Sequence, residues 1–102
     1  MNLSLVIPVH NEQENLPLLF TAIYNAMKPL KKKWEVIFVD DGSHDQSLAV
    51  LKEAAKKDPA HFRVITFRRN FGQTAAIAAG IDYSEGEIIV LLDADLQNDP
   101  AD

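Results

Sequence analysis

The sequence contains no cysteine, so disulfide bonds, thiolate chemistry and zinc sites built on cysteine are excluded. Basic residues are few, since ten lysines and arginines stand against fifteen acidic residues and give a formal net charge of -5 at pH 7. Five of the ten form two short groups, at 31–33 and 68–69, without interleaved aromatic residues. This composition argues against a nucleic-acid partner.

Long apolar runs are also absent. No run approaches the roughly 18 residues needed to cross a bilayer, and the N-terminus lacks the layout of a signal peptide. We therefore expect a cytoplasmic chain, although a longer parent protein is compatible with anchoring to the cytoplasmic face of the membrane. With 102 residues, 47% of them hydrophobic, the chain is expected to form one domain around a single core.

The glycine-rich phosphate loops of two large enzyme classes are missing. No Gly-x-Gly-x-x-Gly follows the first apolar segment, and no Gly-x-x-x-x-Gly-Lys-Ser/Thr occurs anywhere in the sequence. These motifs mark NAD-type dehydrogenases and P-loop NTPases, so both classes are disfavoured.

An alternation of strand and helix patterns is present instead. Short apolar runs predict four strands, at Leu3–Ile7, Glu35–Val39, Phe62–Phe67 and Glu87–Leu92. Between them the residues at 16–27 and 48–55 have apolar spacings of three and four, and 74–81 is rich in alanine, which predicts three helices. Strands linked by helical crossovers pair in parallel. We therefore predict an α/β fold, a Rossmann-like parallel sheet of buried strands with helices on both faces.

Each predicted helix follows a capping pattern, in which a capping side chain precedes an acidic or amide residue by three positions. The pairs are Asn11 with Glu14, Ser43 with Gln46, and Asn70 with Gln73. This pattern predicts that the helices begin just after Asn11, Ser43 and Asn70.

Two acids follow the fourth predicted strand, at the edge where ligands bind to parallel sheets. If the strand continued through them, Asp93 and Asp95 would share one face and repel each other without a cation. Mg²⁺ and Mn²⁺ take carboxylate oxygens together with substrate phosphates, and Gln97 continues the same spacing. The pattern predicts a metal site for a phosphorylated ligand. The alternative is that these acids only form a turn.

Polar residues follow the other strands as well. Asp40 and Asp41 are candidates to accept hydrogen bonds from a nucleotide base or ribose, although one of them would also suit a helix N-terminus. Asn11 suits a cap and Glu12 a first helical turn. Arg69 is equally compatible with phosphate binding and with a salt bridge.

Four segments carry a resemblance to a known family: "SLVIPVHNEQENL", "VIFVDDGSHDQS", "RRNFGQTAAIAAGI" and "IIVLLDADLQNDP". In this order they resemble the N-terminal nucleotide-binding half of family 2 glycosyltransferases, which have the GT-A fold. Within that family the chain most resembles the polyprenyl-phosphate branch, the dolichol-phosphate mannosyltransferase and undecaprenyl-phosphate sugar transferase type. The resemblance implies an inverting enzyme that uses Mg²⁺ or Mn²⁺, a UDP- or GDP-sugar donor, and a polyprenyl phosphate or cell-envelope glycan acceptor.

The resemblance also implies roles for single residues. The nucleotide-binding residues would be Pro8, Val9, Asn11, Glu12, Asp40, Asp41, Arg69, Asp93 and Ala94. The metal ligands would be Asp93, Asp95 and Gln97, with Asp95 as the candidate catalytic residue. His10 is not assigned as a catalytic base.

Members of this family carry a further acceptor-side segment that these 102 residues do not include. We therefore expect residues 1–102 to be the nucleotide-sugar-binding half of a glycosyltransferase domain, truncated at its C-terminal end and inactive alone. A sheet cut after its fourth strand would expose apolar surface at the truncated edge, which predicts self-association.

Two other classes stay open as alternatives. Haloacid-dehalogenase-like phosphatases also place Asp-x-Asp after a buried strand, although usually after the first. A receiver-like, non-enzymatic binding module would use "VDDGS" as an acidic pocket, although the lysine expected after a later strand is missing.

Overall fold

The computed structural model describes residues 2–94 and confirms the α/β prediction. The elements are β1 (Leu3–Val9), α1 (Leu16–Met27), β2 (Trp34–Asp41), α2 (Ser47–Lys57), β3 (Phe62–Phe67), α3 (Gln73–Tyr83) and β4 (Ile88–Leu91). All strand pairs are parallel, and the order across the sheet is β3-β2-β1-β4. No helix within residues 2–94 is long and apolar enough to cross a membrane.

The two central strands extend further than the apolar runs predict. β1 continues through Pro8 to Val9, whereas the predicted strand ends at Ile7. The Val6 carbonyl accepts a hydrogen bond from Leu92 N at 3.0 Å, so the backbone groups of Val6 point toward the β4 side of the strand. Residues two apart in a strand direct their backbone groups to the same side. An N–H at position 8 would point to that side as well, but the last β1–β4 pair is Val6 with Leu91. Because the β1–β4 ladder ends before Pro8, the missing N–H removes no hydrogen bond from the sheet.

Helices cover both faces of the sheet, as predicted. Val36 and Phe38 of β2 pack in the core with residues of α1 and α2, while Ile37 and Val39 pack with Ala76 of α3 on the other face. This alternation follows from the two-residue period of a strand.

Helix α3 lies very close to the sheet, which its small side chains permit. A Cβ added at Gly80 would overlap Val6 and would lie 3.3 Å from Cγ2 of Val39. The small residues of α3 therefore bring its backbone directly onto the sheet.

The expectation that the fourth strand is buried is wrong. Within residues 2–94, β4 lies at the edge of the sheet and pairs only with β1, and its Ile88 side chain is 53% exposed. Ile89, Leu91 and Leu92 are exposed as well. Apolar side chains on an edge are compatible with self-association, which stays a prediction.

The predicted capping boxes are also wrong. The helices begin at Leu16, Ser47 and Gln73, and in the described part of the chain the residues before them make no side-chain cap hydrogen bond. Asn11 instead bridges two loops, because its N–H donates to Ser43 Oγ at 2.9 Å and its Oδ1 accepts from His44 N at 2.7 Å. The loops after β1 and β2 lie side by side, so these side chains bond across the loops rather than along the chain.

A buried carboxylate holds the opposite end of the sheet. Glu35 is 2% exposed and accepts hydrogen bonds from Ser4 Oγ at 2.6 Å, Glu85 N at 2.7 Å and Arg63 Nη1 at 3.3 Å. Burial alone raises the pKa of Glu35, but these donors together outweigh it and bring the pKa below its usual value.

We expect Glu35→Gln to lower the free energy of unfolding by about 1–3 kcal/mol at pH 7, because the donors lose a charged acceptor. A carboxylate with a lowered pKa contributes stability above its unfolded pKa, and this contribution disappears as the pH falls through the folded value. The difference between wild type and variant should therefore shrink below about pH 4. Urea unfolding of both proteins between pH 7 and pH 3 measures this difference in the free energy of unfolding.

Glu87→Gln is the matched control for this prediction, since Glu87 is an exposed acid near the same end of the sheet. It should change stability by no more than about 0.5 kcal/mol. A Glu35→Gln effect that stays constant down to pH 3 would contradict the assigned role of the charge.

Candidate functional site

The carboxyl ends of the strands meet at a cavity of about 340 Å³. Its walls are Pro8, Val9, His10, Glu12, Asp41, Asn70, Gly72, Gln73, Asp93 and Ala94. A larger groove of about 470 Å³ between α1 and α2 is mainly apolar, with Glu53 and Lys57 as its charged lining residues. Of these two, the cavity at the strand ends gathers polar groups from the loops that follow β1, β3 and β4, which makes it the candidate site.

The structure brings six of the predicted site residues together in the cavity wall: Pro8, Val9, Glu12, Asp41, Asp93 and Ala94. Asn11 and Asp40 lie next to lining residues without lining the cavity themselves. Arg69 is exposed outside the wall, and its guanidinium carbon lies 4.8 Å from the centroid of the Phe71 ring. Asp95 and Gln97 lie outside the described residues.

Four lining residues were missed by sequence reasoning: His10, Asn70, Gly72 and Gln73. Their loops were correctly placed at the strand ends. Their positions would have indicated them, because they lie in the loops after β1 and β3 or, for Gln73, at the first residue of α3, close to predicted residues.

The His10 ring is oriented by the main chain. Its Nδ1 lies 2.8 Å from the carbonyl oxygen of Asp41, and a carbonyl can only accept, so Nδ1 carries the proton. In the neutral ring Nε2 is then an acceptor, and Asn11 Nδ2 lies 3.3 Å from it. The loop after β1 is thereby tied to the end of β2.

Glu12 is also held by neighbouring groups. Its N–H donates to Ser47 Oγ at 2.8 Å, and its Oε2 accepts from Asn15 Nδ2 at 2.8 Å. These bonds link the start of α2 to the loop after β1 and present the Glu12 side chain at the cavity wall.

The two neighbouring acids of β2 differ in their surroundings. The Asp41 carboxylate accepts hydrogen bonds from Phe71 N at 2.7 Å and Gly72 N at 3.0 Å. Asp40 is 2% exposed, and its Oδ2 accepts a long hydrogen bond of 3.4 Å from Ser43 N. Asp40 Oδ1 is the one buried side-chain oxygen without a hydrogen-bond partner within residues 2–94.

An unpaired buried acceptor is costly, because water no longer solvates it and no donor replaces the water. Asp40 pairs in register with Val9, which lines the cavity. Asp40 itself does not line the cavity, and a ligand N–H or O–H that reached this oxygen would compensate for the lost solvation.

Asp93 is the one predicted metal ligand among the described residues. Asp93 follows β4 at the cavity wall and is exposed. No group of three or more histidine and acidic side chains within residues 2–94 is placed to hold a metal ion. Hard divalent cations bind carboxylate oxygens together with ligand phosphates. The Asp93 carboxylate suits one position in the coordination shell of such a cation, and other groups would have to supply the remaining ligands.

A family model matches nearly the whole chain. The model described as glycosyl transferase family 2 matches residues 4–102. The similar curated proteins include undecaprenyl-phosphate 4-deoxy-4-formamido-L-arabinose transferases. That of Pectobacterium atrosepticum is 46% identical over 99 residues, which are 97% of this chain and 30% of the relative. That of Pseudomonas fluorescens is 47% identical over 97 residues, which are 95% of this chain and 28% of the relative.

Solved structures share the fold. TarS 1-349 of S. aureus in complex with UDP is 25% identical with a TM-score of 0.80, over 93% of this chain and 28% of TarS 1-349. The mannosyltransferase PcManGT of Pyrobaculum calidifontis in complex with GDP-Man and Mn²⁺ is 24% identical with a TM-score of 0.75, over 92% of this chain and 27% of that one. The chain thus spans about 30% of the length of the relatives it matches.

Proposed function

The chain belongs to glycosyl transferase family 2, with a GT-A fold, and from this premise we propose that its cavity binds the nucleoside diphosphate of a sugar donor. The proposed reaction transfers the sugar to a polyprenyl phosphate. The acceptor is proposed because the relatives are named as undecaprenyl-phosphate sugar transferases.

The unpaired oxygen of Asp40 is the observation that carries the nucleotide proposal. A buried carboxylate oxygen at the end of a parallel strand accepts an N–H of a base or a hydroxyl of a ribose. Leaving such an oxygen unpaired costs about 1–3 kcal/mol, and a ligand donor recovers that free energy on binding. Among nucleotides we propose UDP before GDP, since TarS 1-349 was solved with UDP.

Asp93, Asp95 and Gln97 are the proposed ligands of a divalent cation, Mg²⁺ or Mn²⁺. When bound, the cation would neutralise negative charge on the departing nucleoside diphosphate, which is the catalytic contribution proposed for Asp95. Asp93 contributes a carboxylate at the cavity wall, on the side formed by β4.

A polyprenyl phosphate would attack without a strong protein base, because its phosphate oxygen is already ionised. The bond between this oxygen and the anomeric carbon forms while the bond from that carbon to the donor diphosphate breaks. The diphosphate leaves with the bonding electron pair. A single displacement of this kind inverts the anomeric carbon, which is the proposed stereochemistry.

The phosphatase and receiver alternatives are not favoured by the comparisons. The family match covers residues 4–102 as a whole, including the segment that follows β4.

Calorimetric titration of the chain with UDP and with GDP, each with Mn²⁺ and with chelator, tests the proposal. We expect UDP to bind more tightly than GDP. Chelation should weaken UDP binding by roughly tenfold or more, because the phosphates lose a counter-charge. In Asp93→Ala the Mn²⁺ effect should disappear while metal-free binding stays unchanged.

Asp82→Ala is the matched control, since Asp82 is an exposed acid on α3 and does not line the cavity. It should keep the Mn²⁺ effect. Absence of binding by wild-type protein shown to be folded would overturn the nucleotide proposal for these residues.

A further inference from the structure

Asp41 has both carboxylate oxygens engaged by one loop. The residue is 4% exposed; Oδ1 accepts from Phe71 N at 2.7 Å, and Oδ2 accepts from Gly72 N at 3.0 Å. Asn70 Nδ2 lies 3.2 Å from Oδ2 as a third donor. All three donors belong to the loop 68–72 between β3 and α3.

The main chain of Asp41 engages a second loop. Its carbonyl oxygen accepts from His10 Nδ1 at 2.8 Å and from Asn70 Nδ2 at 3.3 Å. The next residue, Gly42, packs against the backbone of Arg69 and Asn70 so closely that a Cβ would overlap both. Asp41 therefore joins the loops that follow β1 and β3 to the end of β2.

Three of the cavity-lining residues take their positions from these bonds, namely His10, Asn70 and Gly72. A carboxylate suits this position because the three groups that bond to it, Asn70 Nδ2, Phe71 N and Gly72 N, are all donors. An amide would place its own N–H₂ against one of them.

We infer that Asp41 is a positioning residue, whose carboxylate holds the loop 68–72 against β2 and so shapes the nucleotide cavity. The family resemblance implies a direct nucleotide contact for both acids of the pair. The positioning role replaces that contact for Asp41, whereas Asp40 keeps it in the proposed function. The effect on nucleotide affinity rests on the proposed function, whereas the effect on the loop does not.

Amide hydrogen exchange of the chain, followed residue by residue by NMR, measures the loop directly. In the wild type the Phe71 and Gly72 amides should be protected although they precede α3. Asp41→Asn should speed their exchange by about 10- to 100-fold, since hydrogen bonds to a charged group are lost. Exchange of the Ile37 and Phe38 amides in β2 should stay unchanged.

Two matched variants separate positioning from direct contact. Asp40→Asn makes the same chemical change one residue away and should leave the Phe71 and Gly72 amides as protected as in the wild type. Asn70→Ala keeps both backbone hydrogen bonds to Asp41 and should weaken UDP binding less than Asp41→Asn does. Calorimetry with UDP should show roughly tenfold or greater weakening for Asp41→Asn.

Weaker UDP binding in Asp41→Asn with unchanged Phe71 and Gly72 exchange would overturn the inference in favour of direct contact. Faster exchange with unchanged UDP affinity would overturn the claim that the loop shapes the cavity. If Asp41→Asn does not fold, the wild type decides, because unprotected Phe71 and Gly72 amides overturn the inference and protected ones support it. If the wild type binds neither UDP nor GDP, the proposed function is wrong, and the exchange comparison still decides whether Asp41 holds the loop.

Discussion

Asp40→Asn is expected to weaken UDP binding by about 10- to 100-fold while leaving the unliganded protein at least as stable as the wild type. Binding weakens because the ligand donor loses a charged acceptor. Stability does not fall because the substitution removes a buried carboxylate whose Oδ1 has no partner within residues 2–94. Calorimetric titration measures the first effect, and urea unfolding without nucleotide measures the second.

The opposite signs of the two effects make this prediction specific. Asp82→Asn is the control, because it removes the same charge from an exposed position on α3 and should change neither quantity. A loss of stability in Asp40→Asn as large as its loss of binding free energy would show that the carboxylate supports the fold itself. The nucleotide assignment would then lose its main support.

The sequence predicted the strands well, because a parallel strand covered on both faces is a continuous apolar run. β3 has the predicted bounds, Phe62–Phe67. The same logic failed for β4, whose composition resembles that of β1 although β4 lies at the sheet edge and is exposed. Strand order depends on which crossovers pack together, and no local pattern contains that information.

The site was predicted at the level of loops and not of individual contacts. Asp40 and Asp41 are identical in chemistry, yet the two-residue period sends one side chain to the α1 and α2 face and the other to the α3 face. One therefore keeps an unpaired oxygen while the other receives three donors from 68–72. Partners about 30 residues distant in sequence decide these roles, and only the fold brings them together.

The failed capping prediction has the same cause. Asn11 has the chemistry of a helix cap, but its φ of +54° and its bonds to Ser43 and His44 place it in a bridge between loops. A capping pattern takes account only of residues close in sequence. The groups that compete for the Asn11 side chain and backbone lie in the loop after β2, which is distant in sequence.

Gly42→Ala is expected to lower the free energy of unfolding by about 2–5 kcal/mol. Gly42 has a φ of +68°, which costs a residue with a Cβ about 1–2 kcal/mol. The Cβ would also overlap the backbone of Arg69 and Asn70, and a backbone cannot yield as the end of a side chain can. The loop 68–72 must then move off β2, which stretches its bonds to Asp41. Urea unfolding and the exchange of the Phe71 amide measure the two effects.

Two further variants separate strain from overlap. Gly42→Asn carries less strain, because asparagine tolerates positive φ, as Asn11 already does in this fold. It keeps the overlap and should still displace the loop. Gly72→Ala carries strain at φ +101° with no atom within 4 Å of the added Cβ, so it should destabilise by about 1–3 kcal/mol without displacing 68–70. If Gly42→Asn were as stable as the wild type, the overlap would be unimportant, and the close contact between Gly42 and the loop would not be what fixes the cavity wall.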